Sequence, residues 1–157
     1  MTDLQVRIER VFAIDRSLMW TLWTTPEHAS RWMRPSVTDY APTTAWVDAR
    51  VGGGYRFEMH FGEETYATSG RYLVVAPIDR LSFTWKWDED EFETIVDVEF
   101  TDHPGGTQVS IVHSRFEADD QADRHGHGWR GCLQSLADVY ETSLTEEIRA
   151  DTPPLSS

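Results

Sequence analysis

Apolar residues follow two rhythms along this chain. In the middle they alternate with polar ones, and towards both ends they recur every three or four residues. The stretch "RLSFTWKW" shows the first rhythm most plainly. Leu81, Phe83, Trp85 and Trp87 alternate with Ser82, Thr84 and Lys86. Successive side chains of a strand point to opposite faces, so one face would carry the large rings and the other the polar groups. The same alternation runs through Tyr55, Phe57, Met59 and Phe61, through the long run "TYATSGRYLVVA", and through Val96, Val98 and Phe100. It recurs in Val109, Ile111 and His113 of "TQVSIVHSRF". "AWVDAR" reads as a further short strand, and Val6 to about Ile14 as the first one. Turn signals separate these runs: "GGG" at Gly52 to Gly54, "GEE", Pro77, "DEDE" and "HPGG".

The second rhythm predicts helices. Asp15 is a good cap for "RSLMWTLWT", where Met19 and Trp23, and Leu18 and Leu22, share a face. Thr25 and Pro26 open a second short helix that carries Trp32 near its end. After the last strand, Gly126, Trp129, Leu133, Leu136, Tyr140 and Leu144 form one apolar stripe of a long helix. It is expected to be capped by Asp119 or Asp120 and to end near Ile148. The order is strand, two short helices, about six strands, one long helix. That predicts an α+β fold with a curved antiparallel sheet of six or seven strands wrapped around the long helix. A strongly twisted sheet cannot follow a straight helix along its whole length. Large rings, or a pocket, are therefore expected where the two diverge.

Composition narrows the function. The chain has 157 residues, suited to one domain over residues 1–148 with a tail over 149–157. A net charge of −13 disfavours nucleic acid and anionic membrane surfaces as partners. Cys132 is the only cysteine, so no intramolecular disulfide or cysteine metal cluster is expected. With no secretory or membrane-spanning pattern, a soluble cytoplasmic protein is expected.

Several segments then look familiar. "FAIDRSLMWTLWTTPEHASRW", "VGGGYRFEM", "GRYLVVAPIDRLSFTW", "GGTQVSIVHSRF" and "HGHGWRGCLQSL" occur in tandem. In that order they resemble the START-like, birch-pollen-allergen-like superfamily (SRPBCC). The branch they resemble is homologous to the C-terminal domain of the activator of the heat-shock-protein-90 ATPase. The resemblance spans roughly Val6 to Glu141. It implies a helix-grip fold. Members of the superfamily mostly hold an apolar small molecule between sheet and long helix, and a minority are cyclases, dehydratases or hydrolases. The branch's name implies a chaperone-linked, stress-response adaptor. Arg115 stands where the resemblance has a glycine, "HSGF", which points to a change at the cavity mouth.

The candidate chemistry is mainly an aromatic wall. Seven Trp in this length is high. Trp32, Tyr55, Phe57, Met59, Phe83, Trp85, Trp87, Trp129 and Leu133 are read as lining a cavity for a small hydrophobic or aromatic ligand. Trp87 is expected at the rim and Trp85 deeper. His113, at the end of an inward face, is read as a polar anchor or packing residue. No carboxylate is placed to orient it, because Asp97 and Glu99 alternate outward. His125 and His127 of "HGHG" point apart on a helix and cannot share a metal ion. They are read as part of a glycine-loosened first turn, and Cys132 as a buried inert thiol. "DEDE" lacks the spacing of a calcium loop, "VGGG" that of a phosphate loop, and no nucleophile elbow is present. No catalytic residue, metal or cofactor is therefore assigned. The leading expectation is a binding or carrier module. The alternatives are a cyclase or hydratase acting on a polyketide-like substrate, and the chaperone-linked adaptor.

Overall fold

The structure is a computed structural model that describes residues 4–141. The expected helix end near Ile148, Leu144 of the apolar stripe and the tail from residue 149 lie outside the described residues. The elements are β1 Leu4–Phe12, α1 Arg16–Thr24, α2 Pro26–Trp32, β2 Ala41–Val47, β3 Gly54–Phe61, β4 Glu64–Ala76, β5 Arg80–Trp87, β6 Thr94–His103, β7 Gly106–Phe116 and α3 Asp119–Leu136. A π-helical turn, Ala137–Glu141, continues α3.

The seven strands form one antiparallel sheet in the order β1-β7-β6-β5-β4-β3-β2. Its inner face collects the alternating residues: Ile8 and Phe12 of β1, Tyr55, Phe57 and Met59 of β3, Leu81, Phe83 and Trp85 of β5, Val96, Val98 and Phe100 of β6, and Val109 and Ile111 of β7. The helix-grip architecture expected from the sequence is the one observed.

The helices cover that face. Asp15 caps α1 by accepting the Leu18 N–H at 2.8 Å. Pro26 opens α2, and the Trp32 indole donates to the Leu22 carbonyl at 2.8 Å, tying α2 back onto α1. α3 lies on β1 and β7 and leans on α2. Two of its glycines permit this closeness. A Cβ on Gly126 would stand 2.7 Å from Val6 Cγ2, and one on Gly131 would stand 2.4 Å from the Pro35 carbonyl oxygen. Glycine in a helix costs about 1 kcal/mol relative to alanine, and here the close packing requires it. Among the described residues no helix is long and apolar enough to cross a membrane.

Two local readings are corrected. "AWVDAR" does not delimit β2, which starts at Ala41 and ends at Val47. Pro42 made its start look like a loop. β2 is an edge strand with an irregular register between Ala41 and Thr44, and proline, which lacks an N–H, is tolerated there. Nor do Asp119 and Asp120 cap α3. The cap residue is Ala118, and the Gln121 side chain reaches back to accept the N–H groups of Glu117 and Ala118. The two aspartates instead occupy the first turn, where the helix dipole favours negative charge.

A bulge in β7 does more than bend the strand. Leu4 pairs with Phe116 but Val6 pairs with His113, so β7 carries one extra residue between them. Simple alternation from inward His113 would turn Phe116 outward. The bulge resets the phase, and both side chains are buried. The backbone of Arg115 achieves this with φ +71°, the left-handed region that costs most residues about 1–2 kcal/mol and glycine almost nothing. Its side chain is exposed. The glycine that the family resemblance implies at this position therefore has a backbone cause. Arg115→Gly should melt at or slightly above the wild-type temperature. Arg115→Val, β-branched at positive φ, should lose about 1–2 kcal/mol. Thermal melts of the two variants check both signs, and equal behaviour would count against this account.

Candidate functional site

The helix axis and the β3–β5 half of the sheet diverge, and aromatic rings fill the space between them. Trp85 of β5 meets Trp129 of α3 with ring centroids 5.2 Å apart, and Trp87 stands edge-on to Trp85 at 5.5 Å. Tyr55 bridges Trp85 to Phe57 and Phe83. Trp32 belongs to a neighbouring group beneath α1, 4.6 Å from Trp23, which in turn lies parallel to Trp129 at 6.0 Å. Leu133 is buried one helical turn beyond Trp129. Trp85 is 4% exposed and Trp87 half-buried, the depth order expected from the sequence.

The rings leave one gap. A cleft of about 50 Å³ is lined by Pro35, Met59, Trp85, Trp87, His125, Gly128, Trp129 and Cys132, almost wholly apolar atoms. In this state it has room for a few waters at most. Trp87 and His125 also wall a recess of about 210 Å³ on their other side, lined further by Asp90, Phe92, Gln121 and Arg124. The indole of Trp87 thus partitions the two spaces.

Polar order in the wall comes from two tryptophan–histidine couples. Trp129 Nε1–H donates to His113 Nδ1 at 3.0 Å. An indole can only donate, so the His113 proton sits on Nε2 and is given to Thr94 Oγ1 at 2.7 Å. Thr94 Oγ1 in turn donates to the Trp85 carbonyl at 3.1 Å. Every polar atom of His113 is therefore used by the protein itself. Burial, helped by neighbouring His125, lowers its pKa to about 2, and the ring stays neutral. The second couple repeats the logic nearer the surface. Trp87 Nε1–H donates to His125 Nε2 at 2.9 Å, and His125 Nδ1–H donates to the Gln121 carbonyl at 2.7 Å. Burial lowers the His125 pKa, with the Gln121 bond pulling the other way. The imidazoles are stacked edge-on, 5.0 Å apart, and Phe116 lies against both.

Two features escape these networks. The buried Nε1–H groups of Trp85, in the cleft wall, and of Trp23, beside Trp32, have no hydrogen-bond partner among the described residues. Cys132 is buried in the cleft wall, and desolvation raises its pKa to about 12, so it stays a thiol. No group of three or more potential metal ligands clusters among the described residues.

Of the side chains read as lining a cavity, Met59, Trp85, Trp87 and Trp129 line the cleft itself. Tyr55, Phe57 and Phe83 form the packed layer beside it, while His113 braces Trp129 from behind. The sequence reads His125 only as part of a loosened turn, yet it anchors the outer tryptophan. Its spacing of four residues from Trp129 was the available signal, because it puts both rings on one helix face. Thr94 carried no signal, since its role depends on cross-strand register with Trp85.

The family model described as Activator of Hsp90 ATPase homolog 1-like protein matches residues 13–141. No curated protein matches the chain. Among solved structures, protein CV1439 from Chromobacterium violaceum is similar with a TM-score of 0.75 at 25% identity, over 86% of this chain and 96% of its own. The AHSA1-like protein from Aeromonas hydrophila is similar with a TM-score of 0.74 at 27% identity, over 88% of this chain and 93% of its own. DynU16, a protein in the dynemicin biosynthetic locus, shares the fold with a TM-score of 0.75 at 20% identity, over 90% of this chain and 49% of its own.

Proposed function

The chain belongs to the Activator of Hsp90 ATPase homolog 1-like family, and from that premise we propose that it binds a small hydrophobic or aromatic molecule between β5 and α3. The observation that carries this reading is the apolar cleft itself, closed on its outer side by one half-buried ring held by one neutral hydrogen bond. At about 50 Å³ the cleft is far below the roughly 300 Å³ of an ordinary small-molecule site. The cleft reaches ligand size when Trp87 swings aside and joins it to the recess beyond. Met59, Trp85, Trp129 and Leu133 then form the inner wall, and the unpartnered Trp85 N–H is available to an acceptor atom on the ligand. Tyr55, Phe57 and Phe83 hold that wall in place, as does Trp32 through Trp23.

A cyclase-type reading gains one point of support, the shared fold with a protein of a biosynthetic locus. The acid–base groups weigh against it. His113 has both ring nitrogens engaged and stays neutral, and His125 is engaged in the same way. Neither is free to exchange a proton with a substrate while the couples are intact.

The binding reading is tested with the neutral dye N-phenylnaphthylamine, followed by energy transfer from tryptophan. Saturable binding at one site is expected. Trp87→Ala removes the partition and should speed association. Absence of saturable binding to both proteins would overturn the proposal.

A further inference from the structure

We infer that the ligand of this cleft is an organic anion, an apolar ring or short acyl body bearing one carboxylate-class head, which rests on a cationic groove outside Gly128. This inference builds on the binding reading above and specifies its ligand class.

The groove runs between α3 and the segment that follows α2. It holds about 830 Å³ open to solvent and is lined on one side by Pro35 and Tyr40, on the other by one face of α3 that includes Arg124, His127, Gly128 and Arg130. Pro35 and Gly128 line the apolar cleft as well, so groove and cleft meet at those two residues. The junction is open on the helix side. A Cβ placed on Gly128 would meet nothing within 4 Å, in contrast to the tight packing at Gly126 and Gly131 three residues to either side or nearer.

The charge around this groove runs against that of the molecule. The chain holds 27 acidic residues and 14 Lys and Arg. Among the described residues, Arg7, Arg16, Arg50, Arg56 and Arg80 are closely paired with carboxylates. Beside the groove the pattern changes. Arg130 has no ion pair or hydrogen bond to the described residues. Arg34, which precedes Pro35 in the chain, donates to the backbone carbonyls of Arg31 and Tyr40. Arg124 is held loosely by Asp120 at 3.5 Å, with both side chains largely exposed. Asp123 is the one carboxylate in the lining, set against Arg124 and Arg130. A net positive rim on a strongly acidic protein attracts an anion that the rest of the surface repels.

The cleft supplies an independent indication. Trp85, one of its wall residues, keeps a buried N–H donor without a partner. Leaving such a donor unpaired is costly, which supports occupation of the cleft by a ligand with an acceptor atom in its body, distinct from the head on the groove. An apolar body in the cleft and an anionic head on the groove is the single ligand chemistry that uses the cleft, the junction and the unpaired cations together.

The experiment uses two dyes with the same ring skeleton on the intact protein. N-phenylnaphthylamine is neutral, and anilinonaphthalene sulfonate carries one anion. Wild-type protein should bind the sulfonate about fivefold more tightly at low salt, and added salt should erase the difference. Arg130→Gln and Arg124→Gln should weaken the sulfonate and leave the neutral dye unchanged. Gly128→Leu should block both dyes while raising helix propensity, with circular dichroism confirming the fold. Equal binding of the two dyes, insensitive to the arginine changes, would overturn the anion proposal and leave the cleft reading standing. Binding that survives Gly128→Leu would overturn entry at this junction. If neither dye binds, the cleft reading falls and this proposal with it.

Discussion

Trp85→Ala should lose about 3–5 kcal/mol of stability in urea unfolding, and Trp87→Ala only about 1–2 kcal/mol. The two rings are two positions apart on one face of one strand, with Trp87 the nearer to the acidic turn. Their surroundings differ. Trp85 is 4% exposed and packs against Tyr55, Trp87, His113 and Trp129, so its removal leaves a cavity that the sheet cannot close. Trp87 is half-buried and borders solvent-filled recesses, so its removal enlarges a space already present. It also gives up one hydrogen bond to His125, whose Nε2 can then turn to water. Trp85→Phe makes a sharper comparison. It keeps most of the ring contacts and deletes the unpartnered Nε1–H, so it should cost clearly less than its loss of volume suggests. Equal losses at Trp85→Ala and Trp87→Ala would mean that both rings are ordinary core, with no movable wall.

The parts of the fold that depend on period alone were legible in the sequence. The alternation of Leu81, Phe83, Trp85 and Trp87 identified β5 and its inner face, and the stripe from Gly126 to Tyr140 identified α3. What was not legible depends on events that break the period. The extra residue before Phe116 changes its phase, and nothing in "HSRF" except the arginine in a glycine's place marks it. The start of β2 was hidden by Pro42, because edge position is a property of the finished sheet. The cap of α3 is supplied by a Gln three residues inside the helix, and the preceding aspartates are the more conspicuous candidates. The site shows the same division. Its apolar residues could be read off the inward faces, but the tryptophan–histidine couples could not. They join β7 or β5 to α3, and that contact is set only when the helix docks. His113 was placed correctly at the end of an inward face, and its partner Thr94 became visible only through strand register.

His113 should make the protein progressively less stable as pH falls below about 6.5. Its folded-state pKa is depressed to about 2 from the ordinary 6.5, chiefly by burial. For a base depressed in this way, the unfolded chain binds the extra proton first. Its contribution is therefore complete above pH 6.5 and is lost as pH falls from there towards 2. Each pH unit in that window removes about 1.4 kcal/mol, so about 3 kcal/mol is gone by roughly pH 4.5. His125 is shifted in the same direction and adds to the loss. Protonation also has a specific structural consequence. Nδ1 of His113 accepts the Trp129 indole N–H, so an imidazolium there would face one donor with another. Helix α3 would then lose its link to β7 at the centre of the aromatic wall. The comparison that isolates this term is His113→Gln, whose amide can accept from Trp129 and donate to Thr94 but does not titrate. The variant should be less stable than wild type near neutral pH because the amide is smaller than the ring. Its unfolding midpoint should fall more gently with acid, and the two curves should converge. Parallel curves for wild type and His113→Gln across this window would show that His113 is not held neutral by the fold, and would remove the main argument for its fixed tautomer.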